Sequence, residues 1–157
     1  MGTLGLSPRD LLPKASPGPS PARLWCLVVG GFLLFTGVVG FFYTANFNTG
    51  DAVAVTNVYG VLASNGWDNI ALILLGIPLL LAARDYSPLG ALAGSIALAV
   101  VVVLGITALG DNGIPWLAEN GSLIGALPVA TFDVVLYAVF AGLGFIAWSA
   151  SRNGSSA

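Results

Sequence analysis

The chain has 157 residues, of which only 8 % are charged, whereas a soluble domain carries about 25 % charged residues. Apolar residues make up 57 % of the chain and the mean hydropathy is +0.92. This composition excludes a soluble globular domain and indicates an integral membrane protein. Because the chain has no His, one Cys and few basic residues, it offers no imidazole metal site, no intrachain disulfide and no nucleic-acid interface.

Residues 1–22 form an N-terminal segment that is rich in Pro and Ser. Five Pro and three Ser in this stretch disfavour a helix and leave too few apolar residues for a core. We expect a disordered tail here, and a second short tail at residues 151–157.

Four apolar spans lie between these tails, in a membrane domain at residues 23–150. A run of about 20 apolar residues crosses a hydrocarbon core of about 30 Å as a helix. The spans cover residues 24–43, 67–83, 89–109 and 132–149. This pattern predicts an all-α, four-helix transmembrane bundle. The first span is too long for a signal-peptide core, so we expect an uncleaved anchor.

The basic residues predict the orientation of the bundle. In a four-span arrangement, all of them fall on one side of the membrane: Arg9, Lys14, Arg23, Arg84 and Arg152. The loops at about 44–66 and 110–131 contain no Lys or Arg. Because basic residues are enriched in cytoplasmic loops, both termini are expected in the cytoplasm.

When the chain is shifted by 65 residues and aligned with itself without a gap, its second half partly matches its first half. Trp67 and Asp68 then meet Phe132 and Asp133. The other matched pairs are Gly40 with Gly105, Gly60 with Gly125, Leu62 with Leu127, and Ala82 with Ala147. We call this alignment the repeat register. It indicates two tandem helical hairpins, related by a pseudo-two-fold axis along the membrane normal.

The two outer loops are too apolar for free, solvated segments. Each has about 20 residues, which is long for a connection between helices, and such loops are usually structured or functional. We expect each loop to fold back on the outer end of the bundle, and a short interfacial helix is one form that this packing could take. A fully solvated loop is the alternative.

Residues 58–76, VYGVLASNGWDNIALILLG, resemble the signature of a bacterial four-helix membrane family known as domain of unknown function 4383. Matching residues are Gly60, Asn65, Gly66, Asn69 and Gly76, with a looser match in residues 124–141 at Gly125, Asp133 and Ala141. Asp68 stands where that family typically has the first of two His residues. The resemblance covers about residues 24–150 and implies four helices, an internal duplication and a location in the bacterial plasma membrane. It implies no established activity.

Asp68 and Asp133 are the candidate functional residues, because each lies at the outer start of an apolar span. The simpler interpretation, which we favour, is a helix cap or first-turn acid that stabilises the positive helix end by about 0.5–2 kcal/mol. The alternative is a polar site at the outer mouth, where the two carboxylates bind a cation or a proton. Further oxygens for this site would come from Asn65, Asn69, Asp51, Asp111 and Glu119.

Within the spans, the polar residues are few. No ionisable residue lies near the middle of any span, which argues against a pump or a coupled transporter. Thr36, Ser95 and Thr107 are expected to bond their own helices or a neighbouring one. Pro78 is expected to kink the second span.

These features predict a structural or accessory membrane subunit that acts through helix and outer-loop contacts. The alternative is a protein that binds a small molecule or a lipid, or a passive facilitator, with a cavity framed by Pro78, Thr36 and Thr107. The sequence offers no catalytic constellation, cofactor site or metal cluster, so an enzyme is not expected. The expected partners are the lipid bilayer and a membrane protein or a second copy of the chain, and nucleic acid is not among them.

Overall fold

The computed structural model describes residues 19–49, 55–110, 118–119, 122–124 and 126–153. Most of the predicted N-terminal tail, at residues 1–18, and the end of the C-terminal tail, at residues 154–157, lie outside them. The described residues form four long helices, each apolar enough to cross a membrane. They are α1 at Pro21–Tyr43, α2 at Gly66–Asp85, α3 at Ser87–Leu109 and α4 at Thr131–Asn153. The predicted all-helical, four-helix architecture is therefore confirmed.

The helices extend beyond the predicted spans, for local reasons. Pro21 lies in the first turn of α1, where its missing N–H needs no partner, and Ser20 Oγ accepts a hydrogen bond of 3.2 Å from the Arg23 N–H. Helix α1 therefore begins inside the expected tail, and α4 continues to Asn153. Helix α2 has 20 residues and α4 has 23, so both are longer than the spans that the sequence predicted for them.

Short antiparallel strands lie in both outer loops. They are β1 at Thr56–Val58, β2 at Leu62–Ser64, β3 at Ala118–Glu119, β4 at Ser122–Leu123 and β5 at Leu127–Pro128. Strand β1 pairs with β2, and β4 pairs with both β3 and β5. The described parts of these loops therefore contain strands where an interfacial helix was one expected form. The backbone has a positive φ at Tyr59, Gly60 and Ile124. A positive φ is incompatible with a right-handed helix and is typical of a tight turn.

The helices pack as two hairpins. Helix α1 packs most extensively on α2, and α3 on α4. In the first hairpin Gly30 and Gly76 allow close backbone approach: a Cβ on Gly76 would lie 2.8 Å from Gly30 O. Buried side chains from all four helices, among them Trp25, Leu33 and Leu98, form the shared core.

Hydrogen bonds hold α1 against the second hairpin at the end of the bundle where α1 begins. The Ala22 N–H donates to Ser151 Oγ over 2.9 Å, and Ser20 Oγ lies 3.4 Å from Ser87 Oγ. Further along α1, Trp25 Nε1 donates to Phe140 O over 3.0 Å. The starts of α1 and α3 and the end of α4 therefore lie at the same end of the bundle. We call this the inner end, and the end with the strands the outer end.

Candidate functional site

A buried polar network organises the outer end of the first hairpin. Ser64, Asn65 and Asn69 are each at most 1 % exposed. Ser64 Oγ donates to Asn69 Oδ1 over 2.7 Å, and Asn65 Oδ1 accepts a hydrogen bond of 2.9 Å from the Asp68 N–H. Asn65 is thus the N-cap of α2, and Asp68 occupies the first turn of that helix.

The two amide groups of this network also tie separate segments together. Asn69 Nδ2 donates to Thr44 O over 3.0 Å, which joins α2 to the residue that follows α1. Asn65 Nδ2 donates to Ala126 O over 2.6 Å, which joins the two outer loops. Because both amides already have donor and acceptor partners, Asn65 and Asn69 act as a framework and have little capacity left for a ligand.

Asp68 and Asp133, by contrast, line one small cavity of about 60 Å³ beneath the strands. Tyr137 lines it as well, and the remaining wall is made of apolar side chains from α2, α3, α4 and the second outer loop. Among the described residues, no Lys or Arg lines this cavity. We call it the outer cavity. The structure thus separates the four candidate residues into two framework amides and two carboxyl groups that share a cavity.

Asp133 is deeply buried, with 4 % of its surface exposed. It lies in the first turn of α4, and its Oδ2 accepts a hydrogen bond of 2.9 Å from the Ala130 N–H. This is the first-turn acid bond of a capping box. The Ala63 amide also faces the carboxyl group, but Oδ1 is buried without a hydrogen-bond partner. Capping therefore explains one oxygen of Asp133 and leaves the other unexplained.

Tyr137 belongs to the outer cavity, although the sequence did not single it out. It lies four residues after Asp133 on α4, so both side chains occupy the same face of the helix. That spacing is the signal that identifies it once Asp133 is a candidate. Asp51 and Asp111, and the side chain of Glu119, lie outside the described residues. Within the described ranges, no three or more His, Cys, Asp or Glu residues cluster as a metal site would require.

A second, larger space lies between α2 and α3. It is a groove of about 380 Å³, and only Tyr86 separates these two helices along the chain. Its floor includes the buried Leu33 and Leu98, while Leu74 and Leu89 at its rim are each 64 % exposed. We call it the lateral groove, because it opens on the side of the bundle. Leu75 and Leu98 line both spaces and lie between the groove and the outer cavity.

The lateral groove differs from the cavity that the sequence predicted. Pro78 lines it as expected, but Thr36 and Thr107 do not. Thr107 Oγ1 donates to Leu104 O over 2.7 Å, as expected for a membrane-helix hydroxyl that bonds its own backbone. Ser95 Oγ does the same with Ala91 O over 2.6 Å. Thr36 is 2 % exposed in the interior, on α1, and its hydroxyl has no hydrogen-bond partner.

Comparison with known proteins adds no relative. No family model, curated protein or solved structure matches the chain.

Proposed function

We propose that this chain is a multi-pass membrane protein that holds the acyl chain of a lipid in the lateral groove. The groove carries this proposal, because its volume of about 380 Å³ lies in the range of ligand pockets, about 300–1,000 Å³. Its lining is almost wholly apolar. Along α2 and its C-cap it runs from Leu74 to Tyr86, about 18 Å at the rise of an α-helix, which suits an extended chain rather than a compact ligand.

The inner end of the groove suits a lipid headgroup. Tyr86 lines this end, and Arg84 lies two residues away with 85 % of its side chain exposed. The contact of Arg84 with Asp85, at 3.7 Å, is loose and solvent-exposed, so it leaves the guanidinium able to bind a phosphate. An anionic phospholipid, with its chain in the groove and its phosphate near Arg84, satisfies both features.

The proposed membrane is the bacterial plasma membrane, with the inner end in the cytoplasm. Arg23 at the start of α1, Arg84 on the last turn of α2 and Arg152 at the end of α4 support this orientation, since positive residues are enriched on the cytoplasmic side. Exposed Leu, Val and Phe side chains on all four helices are suited to contact with lipid.

A tandem duplication and membership of the four-helix family that the sequence resembles are part of the same proposal. Helices α2 and α4 begin at Gly66 and Thr131, which are matched positions in the repeat register. The turn bond from the Val61 N–H to Val58 O recurs at the matched positions, from the Ala126 N–H to Leu123 O. Such agreement in helix starts and turn geometry supports two copies of one hairpin.

The accessory-subunit hypothesis remains a second candidate, and the outer turns favour it. Tyr59 and Val61 in the first outer loop and Ile124 in the second expose 44 %, 47 % and 59 % of their surface. Apolar residues exposed at turn tips are typical of a surface that contacts another protein or the membrane interface. This function requires no catalytic group.

The lipid proposal is tested by filling the groove. Ala93 is an exposed small residue on its wall, so Ala93→Phe places a ring where the acyl chain would lie. Ala138→Phe, at a position of α4 that does not line the groove, is the matched control. The wild-type chain, extracted from vesicles of equal phosphatidylglycerol and phosphatidylcholine, is examined by native mass spectrometry.

We expect one phosphatidylglycerol to remain bound to the wild-type chain and to Ala138→Phe, and at least a tenfold loss of the bound form in Ala93→Phe. Arg84→Gln is expected to remove the preference for phosphatidylglycerol while a lipid still binds. Equal lipid retention by Ala93→Phe and Ala138→Phe would contradict the proposal. A stoichiometric protein partner in the wild-type sample would favour the accessory subunit instead.

A further inference from the structure

We infer that Asp68 and Asp133 together bind one hard divalent cation, of the Mg²⁺ or Ca²⁺ class, in the outer cavity. Both carboxyl groups line this cavity, and Tyr137 adds a phenolic oxygen to the same wall. Oxygen ligands are the ones that these two cations prefer.

The unpartnered oxygen of Asp133 is the observation that points to a ligand. Asp133 is 4 % exposed, and its Oδ1 is buried without any hydrogen-bond partner. Leaving a buried charged oxygen unsatisfied is costly, so such atoms in proteins generally meet water, a proton or a metal ion. Because the Ala130 N–H holds Oδ2, the carboxylate is fixed at the cavity wall and Oδ1 remains available.

Charge balance favours a divalent ion. Two carboxylates line the cavity, and no Lys or Arg does so among the described residues. Charges in an apolar surrounding interact more strongly than they do in water, so the two acids repel each other unless positive charge lies between them. A monovalent ion would neutralise one acid, whereas a divalent ion neutralises both.

The size of the cavity fits an ion that keeps part of its water shell. One water takes up about 30 Å³ in the liquid, so a cavity of about 60 Å³ accommodates about two water-sized bodies, such as an ion and one water. Mg²⁺ is usually held by one or two carboxylates, and water completes its shell. Two carboxylates, a phenol and a bound water therefore supply a coordination shell without Asn65 or Asn69, whose amides are already bonded.

The first experiment measures thermal unfolding of the full-length chain in phosphatidylcholine nanodiscs. We expect millimolar Mg²⁺ or Ca²⁺ to raise the midpoint by about 5 °C over Na⁺ at equal ionic strength. Asp68→Asn and Asp133→Asn, which keep the side-chain shape, should each abolish this shift. Asp85→Asn is the matched control, since Asp85 is exposed on the last turn of α2 and does not line the cavity. It should keep the shift.

Direct binding of Mn²⁺, followed by electron paramagnetic resonance, keeps the inference testable if one variant fails to fold. The wild-type chain should bind one Mn²⁺ that excess Mg²⁺ displaces, and Tyr137→Phe should weaken binding several-fold. No bound Mn²⁺ in the wild type would overturn the inference, as would unchanged binding in folded Asp68→Asn. Stabilisation by acid alone, with no bound Mn²⁺, would also overturn it and indicate a proton shared by the two acids.

Discussion

The two hairpins of the bundle differ in the side chains that pack their helices together at matched positions. In the first hairpin Gly40 of α1 packs against the amide of Asn69, and in the second Gly105 of α3 packs against Val134. Ser64, Asn65 and Asn69 form a bonded polar network, whereas their matched positions in the repeat register are Val129, Ala130 and Val134. The first hairpin fixes its outer end with hydrogen bonds, and the second does so with apolar contact.

Against this background the pair of acids is distinctive. Asp68 and Asp133 are also matched in the repeat register, yet here both hairpins have the same polar residue. The positions of the second hairpin that match Ser64, Asn65 and Asn69 are apolar, and one carboxylate oxygen of Asp133 has no hydrogen-bond partner. The capping bond to the Ala130 N–H accounts for one oxygen of Asp133 only, and both acids line the outer cavity. The comparison therefore supports a role for the two acids as a pair.

The largest effect is expected from making the first hairpin resemble the second. Asn69→Val removes the acceptor for Ser64 Oγ and the donor to Thr44 O. Each buried polar group left without a partner costs about 1–3 kcal/mol, so Asn69→Val should lower the free energy of unfolding by about 3 kcal/mol. The measurement is the unfolding free energy in mixed micelles titrated with SDS, followed by Trp fluorescence. Val134→Ala, the matched change in the second hairpin, should cost about 1 kcal/mol, and an equal cost for both would contradict the difference between the hairpins.

A smaller effect is expected at the glycines that face these residues. A Cβ on Gly40 would collide with the Asn69 amide, which two hydrogen bonds hold in place, so Gly40→Ala should destabilise by about 2 kcal/mol. A Cβ on Gly105 would lie 2.8 Å from a methyl group of Val134, which can turn away more easily. Gly105→Ala should therefore cost about 1 kcal/mol or less.

Gly31 provides the control on the same helix as Gly40. A Cβ at this position has nothing within 4 Å, and Ala is a better helix former than Gly. Gly31→Ala should leave the unfolding free energy unchanged or raise it by up to about 1 kcal/mol. If all three Ala variants behaved alike, helix propensity rather than the contact with Asn69 would determine the result.

The sequence predicted the helices well because each one is a long apolar run. It indicated that Asp68 and Asp133 occupy equivalent positions, and it contained no direct signal for Tyr137. It could not distinguish the framework role of Asn65 and Asn69 from ligand binding, because their partners Ala126 O and Thr44 O are backbone atoms distant in sequence. The lateral groove depends on how far α2 and α3 separate, and nothing in either span encodes that distance locally.

The outer strands were missed for a related reason. Apolar residues in a loop between membrane helices fit an interfacial helix as well as a hairpin, and strands of two or three residues leave too short a pattern to distinguish them. The deciding feature is the positive φ of the turn residues, which for Tyr59 and Ile124 is not the preference of the residue type. Docking of the loops on the bundle must therefore stabilise a backbone conformation that these residues disfavour.

A further small effect tests this strain, and here a Gly is introduced and not removed. Ile124 is β-branched and has a φ of 49°, while its side chain is 59 % exposed and contributes little buried area. Ile124→Gly should therefore stabilise the chain by about 1 kcal/mol in the same SDS titration, because Gly adopts positive φ without a steric penalty. Ile124→Ala removes the side chain but keeps the Cβ, so it should show much less of this gain. At Tyr59 the corresponding change should gain less, since the ring of Tyr59 packs on Tyr43 with centroids 6.2 Å apart and that contact would be lost. A destabilised Ile124→Gly variant would contradict this prediction, because the exposed side chain and not the backbone would then determine the energy of this turn. The apolar tip would in that case be the part of the second hairpin that contacts a membrane or a partner.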